Sequence, residues 1–449
     1  MNRPRLVFLS FGEDLYTYPT EPQRENIERI MQGMKDADFE IVFSDVILNE
    51  AGVQKALENM RGLTFDLIVL HVSAWTLTPI PIALVREFKN MPILVYCSSG
   101  WLNKDGKLIS PAGPAGATAL IGALRCMGYR YAVVFDEVDK PQRVKEISEY
   151  ARVARAYSKV QHSRLGIMGY DDMTLYACTF DGTTLRNKLG VEVEDIFSYE
   201  IGTIMDNTPK EEIDKLTNEF KHKWQFENTI PEAVLNKVLR LYHALARKAE
   251  ERALDGISMK CVCGVTRYMG ISPCVAQCLL ANEHCSVVCE SDVYGLITNM
   301  MLSQISGFTS TFVEHYEFVR DGILAGVCGY VPLDLIDGPA RVMSTMMNPS
   351  FGGLQCVSKM KTGLVTVARL YFEDDRYKMF LTRGVAVEPP TWAELGWPEP
   401  TPAFPSILLR PEAKLRDYVE NVPAEHVSIV YGDYVKHVED LCKLLDIQV

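Results

Sequence analysis

The stretch Cys285–Tyr316, CSVVCESDVYGLITNMMLSQISGFTSTFVEHY, decides how the chain is read. Val287 and Val288 are β-branched and lead into Glu290 and Asp292, so the first carboxylates fall where a buried strand leaves the core. From Val293 to Ile305 the apolar residues Leu296, Ile297, Met300, Met301 and Ile305 recur at helical spacing, and Gly307 stops the helix. Thr309 to Val313 then reads as a short strand with Glu314 and His315 at its end. A strand, a helix and a returning strand would bring both strand ends to one edge of a parallel sheet. Carboxylates gathered there beside an imidazole suit a hard or borderline divalent cation such as Mn2+ or Mg2+. A lone acid at a strand end would only meet solvent; the whole constellation is what points to a metal.

Working outward, the preceding chain alternates strands with helices. RLVFLSFG, EIVFSDVI, FDLIVLHVSAW, PILVYCSSGW and YRYAVVFDE read as strands, with helical segments at Gln23 to Ala37, from Val53 and across PAGPAGATALIGALRCMG. This predicts a doubly wound α/β domain whose ligand edge is the carboxyl end of the sheet, where His71, Trp75, Ser98, Ser99 and Trp101 cluster. His71 reads equally as a substrate contact or as a structural histidine closing a strand. Gly113 and Gly116 precede a helix without completing a dinucleotide-binding fingerprint, so a nicotinamide site is not supported. A second α/β domain begins at RLGIMGYDDM and LGVEVEDIFSYEI, is covered by a polar helical region from Thr208 to Leu254, and ends with the opening stretch.

Beyond Glu314 the pattern changes. VSKMKTGLVTVARLYFEDDRYKMFLTRGVAVE reads as antiparallel strands with turns at DD and RG, predicting a β-rich, barrel-like closing domain. The proline-rich segment from Glu388 to Pro405 is read as a pocket wall or as an extended surface crossing. The expected organisation is α/β: two doubly wound domains, 1–162 and 163–307, followed by the β-rich domain 308–449, which completes the metal site.

Composition sets outer limits. At 449 residues the chain exceeds one ordinary core. A formal charge of −12 and the lack of a basic run argue against a nucleic-acid partner. No apolar stretch approaches the roughly 20 residues that span a bilayer. MNRPRLVFLSFGED reads as a first strand and not as a signal peptide, so a cytoplasmic protein is expected. The 12 cysteines then read as thiols, mostly small buried hydrophobes, with a cysteine metal cluster in the middle third as the lesser alternative.

Several ordered stretches resemble the L-fucose isomerase and L-arabinose isomerase family, nearer the fucose side: CSSGWL, SRLGIMG with TFDGTTLRNKLGVEVEDI, ISPCVAQCLLANE, CESDVYG and EHVSIVYGDYVKHVEDL. The resemblance covers most of the chain. It implies two α/β domains and a barrel-like domain, a sugar substrate, carbohydrate metabolism, a homo-oligomer (trimer or hexamer) whose sites take in a neighbour's first domain, and a divalent metal held by two acids and a histidine. The matching positions are Glu290, Glu314 and His426. Three departures stand out: Glu314 where fucose isomerases carry aspartate, Glu425 before His426 where relatives often pair histidines, and Cys328 where relatives often carry a histidine.

These readings predict an enzyme, an aldose–ketose isomerase acting on a deoxy sugar, pentose or modified hexose through an enediolate. Glu290 and Glu314 would hold Mn2+ (or Mg2+ or Co2+) and share the acid–base work, with His426 completing the ligands. Asp292 would orient a ligand or a hydroxyl, or simply cap the helix; His71, Trp75, Ser99 and Trp101 would meet the sugar. Arg125, Arg164, Lys260 and Arg267 are the basic residues offered to an anionic substituent such as a sulfonate. The alternatives are a sugar-binding or regulatory protein that kept the fold and lost catalysis, and a metal-dependent epimerase or aldolase.

Overall fold

The computed structural model describes residues 3–12, 20–281, 285–348, 351–401 and 403–449. It has two parallel sheets, a mixed sheet and a closed antiparallel barrel, and it divides into two compact units, Met1–Ser158 and Lys159–Val449.

In the first unit, five parallel strands run in the order Glu40–Ile47, Arg5–Phe11, Leu67–Val72, Ile93–Cys97, Tyr131–Phe135. The central strands are continuous apolar runs because helices cover both faces: every residue of Leu67–Val72 and of Ile93–Cys97 is buried. Helix Gly113–Cys126 starts hard against the sheet, and a Cβ on Gly113 would lie 2.8 Å from the Ser98 carbonyl oxygen. Glycine is therefore needed there for close approach.

The second unit opens with a parallel sheet in the order Ser286–Cys289, Gly256–Met259, Arg164–Met168, Glu192–Asp195. A separate four-stranded mixed sheet joins Trp224–Phe226, Ala340–Asn348, Phe351–Cys356 and Ile271–Ser272. Six strands then close an antiparallel barrel: Thr311–Val319, Gly322–Gly326, Ile407–Pro411, Arg376–Val387, Gly363–Glu373 and His426–Tyr431, which returns to Thr311–Val319. Closure leaves no open edge. Helix Val293–Ser306 lies against strands of both the parallel sheet and the barrel, which explains why it is apolar on nearly every side.

Two local expectations are corrected. The strand carrying Glu314 does not return to the parallel sheet; it runs on through Val319 as an antiparallel barrel strand, with Glu314 in its interior. Its β-rich character could not distinguish a crossover strand from a hairpin strand, and the tight turn to Gly322–Gly326 selects the hairpin. The chain also does not turn at Arg383-Gly384. Asp374-Asp375, with φ of 52° and 59°, make the turn, while Gly384 pairs with Val365 and Pro411 inside a strand. A Cβ on Gly384 would sit 3.0 Å from the Arg410 carbonyl oxygen, so this glycine serves strand approach.

The proline-rich segment folds on itself. Trp392 is buried, donates from Nε1 to the Ala403 carbonyl at 2.8 Å and meets the Phe404 ring edge-on. All cysteines are free thiols, and all but Cys126, Cys263 and Cys328 are buried. Among the described residues, no helix is long and apolar enough to cross a membrane.

Candidate metal centre

Three segments distant in sequence meet at one point of the second unit. Glu290 follows strand Ser286–Cys289 at the carboxyl end of the parallel sheet. Glu314 and His426 face each other on paired strands of the barrel. Their ligand atoms lie within 4.8 Å of one another, with Glu290 and His426 buried and Glu314 partly so. His426 Nε2 is 3.4 Å from Glu290 Oε2 and 3.6 Å from Glu314 Oε1.

Local backbone chemistry aims Glu290. It and Ser291 adopt left-handed φ of 62° and 58°, a conformation costing roughly 1–2 kcal/mol for a residue with a Cβ. The strain turns the chain sharply from strand into helix. Ser291 N–H donates to the Met259 carbonyl at 3.1 Å, and Asp172 N–H donates to the Glu290 carbonyl at 3.4 Å, so two neighbouring segments hold the turn. Asp172 in turn accepts the N–H groups of Val262 and Cys263, which open the π-helical segment Cys261–Met269.

Asp292 uses its two oxygens differently. Oδ1 accepts the Gly295 N–H at 2.8 Å and caps helix Val293–Ser306. Oδ2 accepts from His426 Nδ1 at 3.0 Å and pairs with the buried Arg369 guanidinium. Burial alone would raise this carboxyl, but Arg369 and His426 together hold it well below the usual range. An ionised Asp292 calls for a proton on His426 Nδ1, so Nε2 is the ring atom that would offer a lone pair to a cation once its own proton is released.

The arrangement fits a cation. His426 Nε2 and Glu314 Oε1 are buried with no hydrogen-bond partner. Their separations are long for hydrogen bonds but close to the roughly 3 Å between neighbouring ligands around a cation bonded at about 2.0–2.2 Å. Burial pushes the Glu290 carboxyl up to about 7; His426 opposes this shift and Glu314 adds to it. For His426, burial favours the neutral ring, but Asp292, Cys178 and Glu314 outweigh it and raise its pKa well above the ordinary value. Such a cluster gains from positive charge brought in between its members.

A second grouping on the other side of the ring joins Cys178, Asp292 and Glu425 to His426. Cys178 donates to Glu425 Oε1 at 3.2 Å, and Arg369 already neutralises Asp292, so a cation placed there would face a guanidinium. This side supports the ring. Among the described residues neither grouping holds more than one cysteine, so the alternative of a cysteine metal cluster finds no support. Cys328 borders the centre as a protonated thiol, pushed up by burial and by Glu314. The Tyr316 hydroxyl, also buried and unpartnered, feels the charge of Glu314.

The other candidates have surroundings of their own. His71, in the first unit, is fully buried, with Nδ1 2.9 Å from Ser10 Oγ and Nε2 2.9 Å from Ser98 Oγ. Burial lowers its pKa to about 3, so it is a neutral, satisfied ring inside the sheet. Ser99 Oγ donates to the Asp136 carbonyl at 2.5 Å. Trp75 and Trp101 are half-buried near the carboxyl ends of the strands. His315 hydrogen-bonds the Tyr418 hydroxyl. Of the basic residues, Arg164 pairs with Glu194, Lys260 donates to the Asp171 carbonyl and Arg267 lies over the Tyr268 ring.

Sequence reasoning missed Arg369 and Cys178. A lone arginine in the apolar run VTVARLYF was a signal for Arg369; for Cys178 there was none.

No protein-family model matches the chain. The curated relatives it resembles are sugar isomerases. Sulfoquinovose isomerase from Priestia aryabhattai is 18% identical over 459 residues, covering 100% of this chain and 99% of the relative; that of Priestia megaterium matches equally. Sulfoquinovose isomerase from Clostridium sp. (strain MSTE9) is 22% identical and covers 77% of each chain. Similarity of this length supports an enzyme of the sugar-isomerase class, while the relatives are named for sulfoquinovose and not for fucose or arabinose.

Proposed function

We propose that the chain is a divalent-metal-dependent aldose–ketose isomerase, with Glu290, Glu314 and His426 holding the cation and Mn2+ the first metal to test. The observation that carries this reading is the convergence of two carboxylates and an imidazole from three segments, with His426 Nε2 and Glu314 Oε1 buried and unpartnered. A cation bound there would polarise the sugar carbonyl and stabilise the negative charge of the enediolate.

The protein's own groups supply the rest. Isomerisation moves a proton between the first two carbons of the sugar, which calls for a carboxylate that can take it and return it. Glu290 and Glu314 are the carboxylates of the cluster, and a carboxylate beside the cation could take the proton from one carbon and return it to the other. Arg369 and Asp292 fix the orientation and tautomer of His426. The buried Tyr316 hydroxyl offers a hydrogen bond to a substrate oxygen.

The substrate class we propose is an aldose, and because the relatives are named for sulfoquinovose, a sulfonated hexose heads the panel. The test incubates the protein with sulfoquinovose and unsulfonated aldoses, with Mn2+ or after chelation. Ketose should form with Mn2+, and it should vanish on chelation and in Glu290→Gln. Turnover indifferent to chelation would sink the metal assignment, and sugar binding without turnover would favour a binding protein.

A further inference from the structure

A cavity of about 490 Å³ opens in the second unit beside, but apart from, the metal centre. None of Glu290, Glu314, Asp292 or His426 lines it, whereas Arg369 does. Its size falls within the range of small-molecule sites. Rings of Tyr176, Phe180, Tyr371 and Phe372 supply much of the wall, and the carboxylates of Asp181 and Glu373 stand among them. Arg369 is fully buried, gives Nη1 to Asp292 and Nη2 to the Ala177 carbonyl, and keeps Nε without a partner. A buried guanidinium N–H with no acceptor is uncommon, and a ligand oxygen would satisfy it.

We propose that this cavity is a second binding site, taking a neutral polyhydroxylated ring such as a free monosaccharide, and that its occupancy is linked to the metal centre through Arg369. The lining chemistry selects the class. Aromatic faces pack against the C–H face of a sugar ring, while carboxylate oxygens accept its hydroxyls. An anion finds no free positive charge, because Asp292 already neutralises Arg369. Glu373 is paired with Lys378 Nζ at 2.5 Å, whereas Asp181 accepts the Thr184 N–H at 2.6 Å and keeps its charge, so an organic cation is the competing ligand that the choline titration tests.

The link is short. Arg369, which lines the cavity, holds Asp292 Oδ2, and the same oxygen accepts from His426 Nδ1. A ligand bonded to Arg369 Nε fixes the guanidinium where it orients Asp292, and through it the ring that offers Nε2 to a cation. Such coupling is reciprocal, so sugar and cation tighten each other. The linkage rests on the proposed metal site, whereas the binding site itself does not.

Titration calorimetry on the full chain tests both. With metal removed by chelation, D-glucose, D-mannose and L-fucose are titrated into wild type, Glu290→Gln, Tyr176→Ala and Phe372→Ala, with choline as the cationic probe. We expect saturable binding of at least one sugar in wild type and Glu290→Gln, weakened tenfold or more in the two aromatic variants. No sugar binding to the chelated protein, its loss in Glu290→Gln, its survival in both aromatic variants, or binding of choline alone would each overturn the site. Mn2+ affinity is then measured with and without saturating sugar. We expect tightening on the order of 5-fold in wild type and little in Phe372→Ala; equal responses would overturn the linkage. A site that binds sugar in a protein that isomerises none would separate this inference from the proposed activity.

Discussion

Glu314 and His426 stand directly opposite each other on neighbouring antiparallel strands, with Glu314 Oε1 3.6 Å from His426 Nε2. Facing residues of such a pair are held at a fixed separation by backbone hydrogen bonds, so the barrel sets two of the three proposed ligands independently of any cation. Only Glu290 depends on the strained turn at the end of the parallel sheet.

Glu314→Gln should therefore spare the fold and weaken Mn2+ binding. The strand pairing is backbone-made, and the substitution relieves repulsion with buried Glu290 while losing attraction to His426, so the melting temperature should change little. Cation affinity should fall by more than the roughly 10–100-fold typical of losing an outer partner. Calorimetric titration with Mn2+ beside a thermal melt checks both; unchanged affinity would remove Glu314 from the ligands.

Proton linkage gives a direction with pH. A cation needs Glu290 ionised and His426 Nε2 bare, yet the cation-free protein holds Glu290 at about 7, against an ordinary 4.5, and raises His426 well above its own ordinary value. Both groups thus hold protons that cation binding must release. Mn2+ affinity should rise with pH through about 7, by about tenfold per unit for each proton displaced, and flatten once both are gone. Titrations across that range read the slope, and a flat profile would contradict the ligand set.

Asp292→Asn tests the support behind the histidine. It leaves the Arg369 guanidinium buried without its counter-charge, and breaking a buried pair this way costs about 3–5 kcal/mol. The amide also cannot demand a proton on Nδ1, so Mn2+ affinity should fall although Asp292 is no ligand. Urea unfolding measures the first effect and titration at a temperature where the variant stays folded measures the second. A variant as stable as wild type would mean that Arg369 and Asp292 do not form the ion pair described.

Much of this centre was legible in the sequence, because its parts lie at element boundaries that residue chemistry marks. Glu290 follows a β-branched run, Asp292 sits where a cap belongs, and Gly307 ends the helix that Asp292 opens. The barrel partner of Glu314 was not legible from spacing, since cross-strand pairing between residues 112 positions apart leaves no periodic trace; His426 came from family resemblance. Asp292 was read either as a cap or as an orienting group, and its two oxygens perform both tasks. His71 was read equally as a substrate contact or a structural histidine, because a histidine at a strand end looks the same in sequence in either setting; two serines hold its ring.

Gly295 offers a last test, in which helix propensity and site packing pull in opposite directions. Alanine is normally better than glycine inside a helix by about 1 kcal/mol. A Cβ at Gly295, however, would fall inside contact distance of Asp292 Oδ2 and 2.7 Å from Arg369 Nη1. Neither group can retreat without breaking the buried pair, so Gly295→Ala should destabilise by about 1–3 kcal/mol and weaken Mn2+ binding through displaced Asp292. Gly122, exposed in helix Gly113–Cys126 with nothing near its would-be Cβ, is the control. There the same substitution should stabilise by about 0.5–1 kcal/mol and leave Mn2+ affinity unchanged. Urea unfolding of both variants reads the contrast in sign, and a stabilised Gly295→Ala would show that the Asp292–Arg369 pair has room the structure denies it.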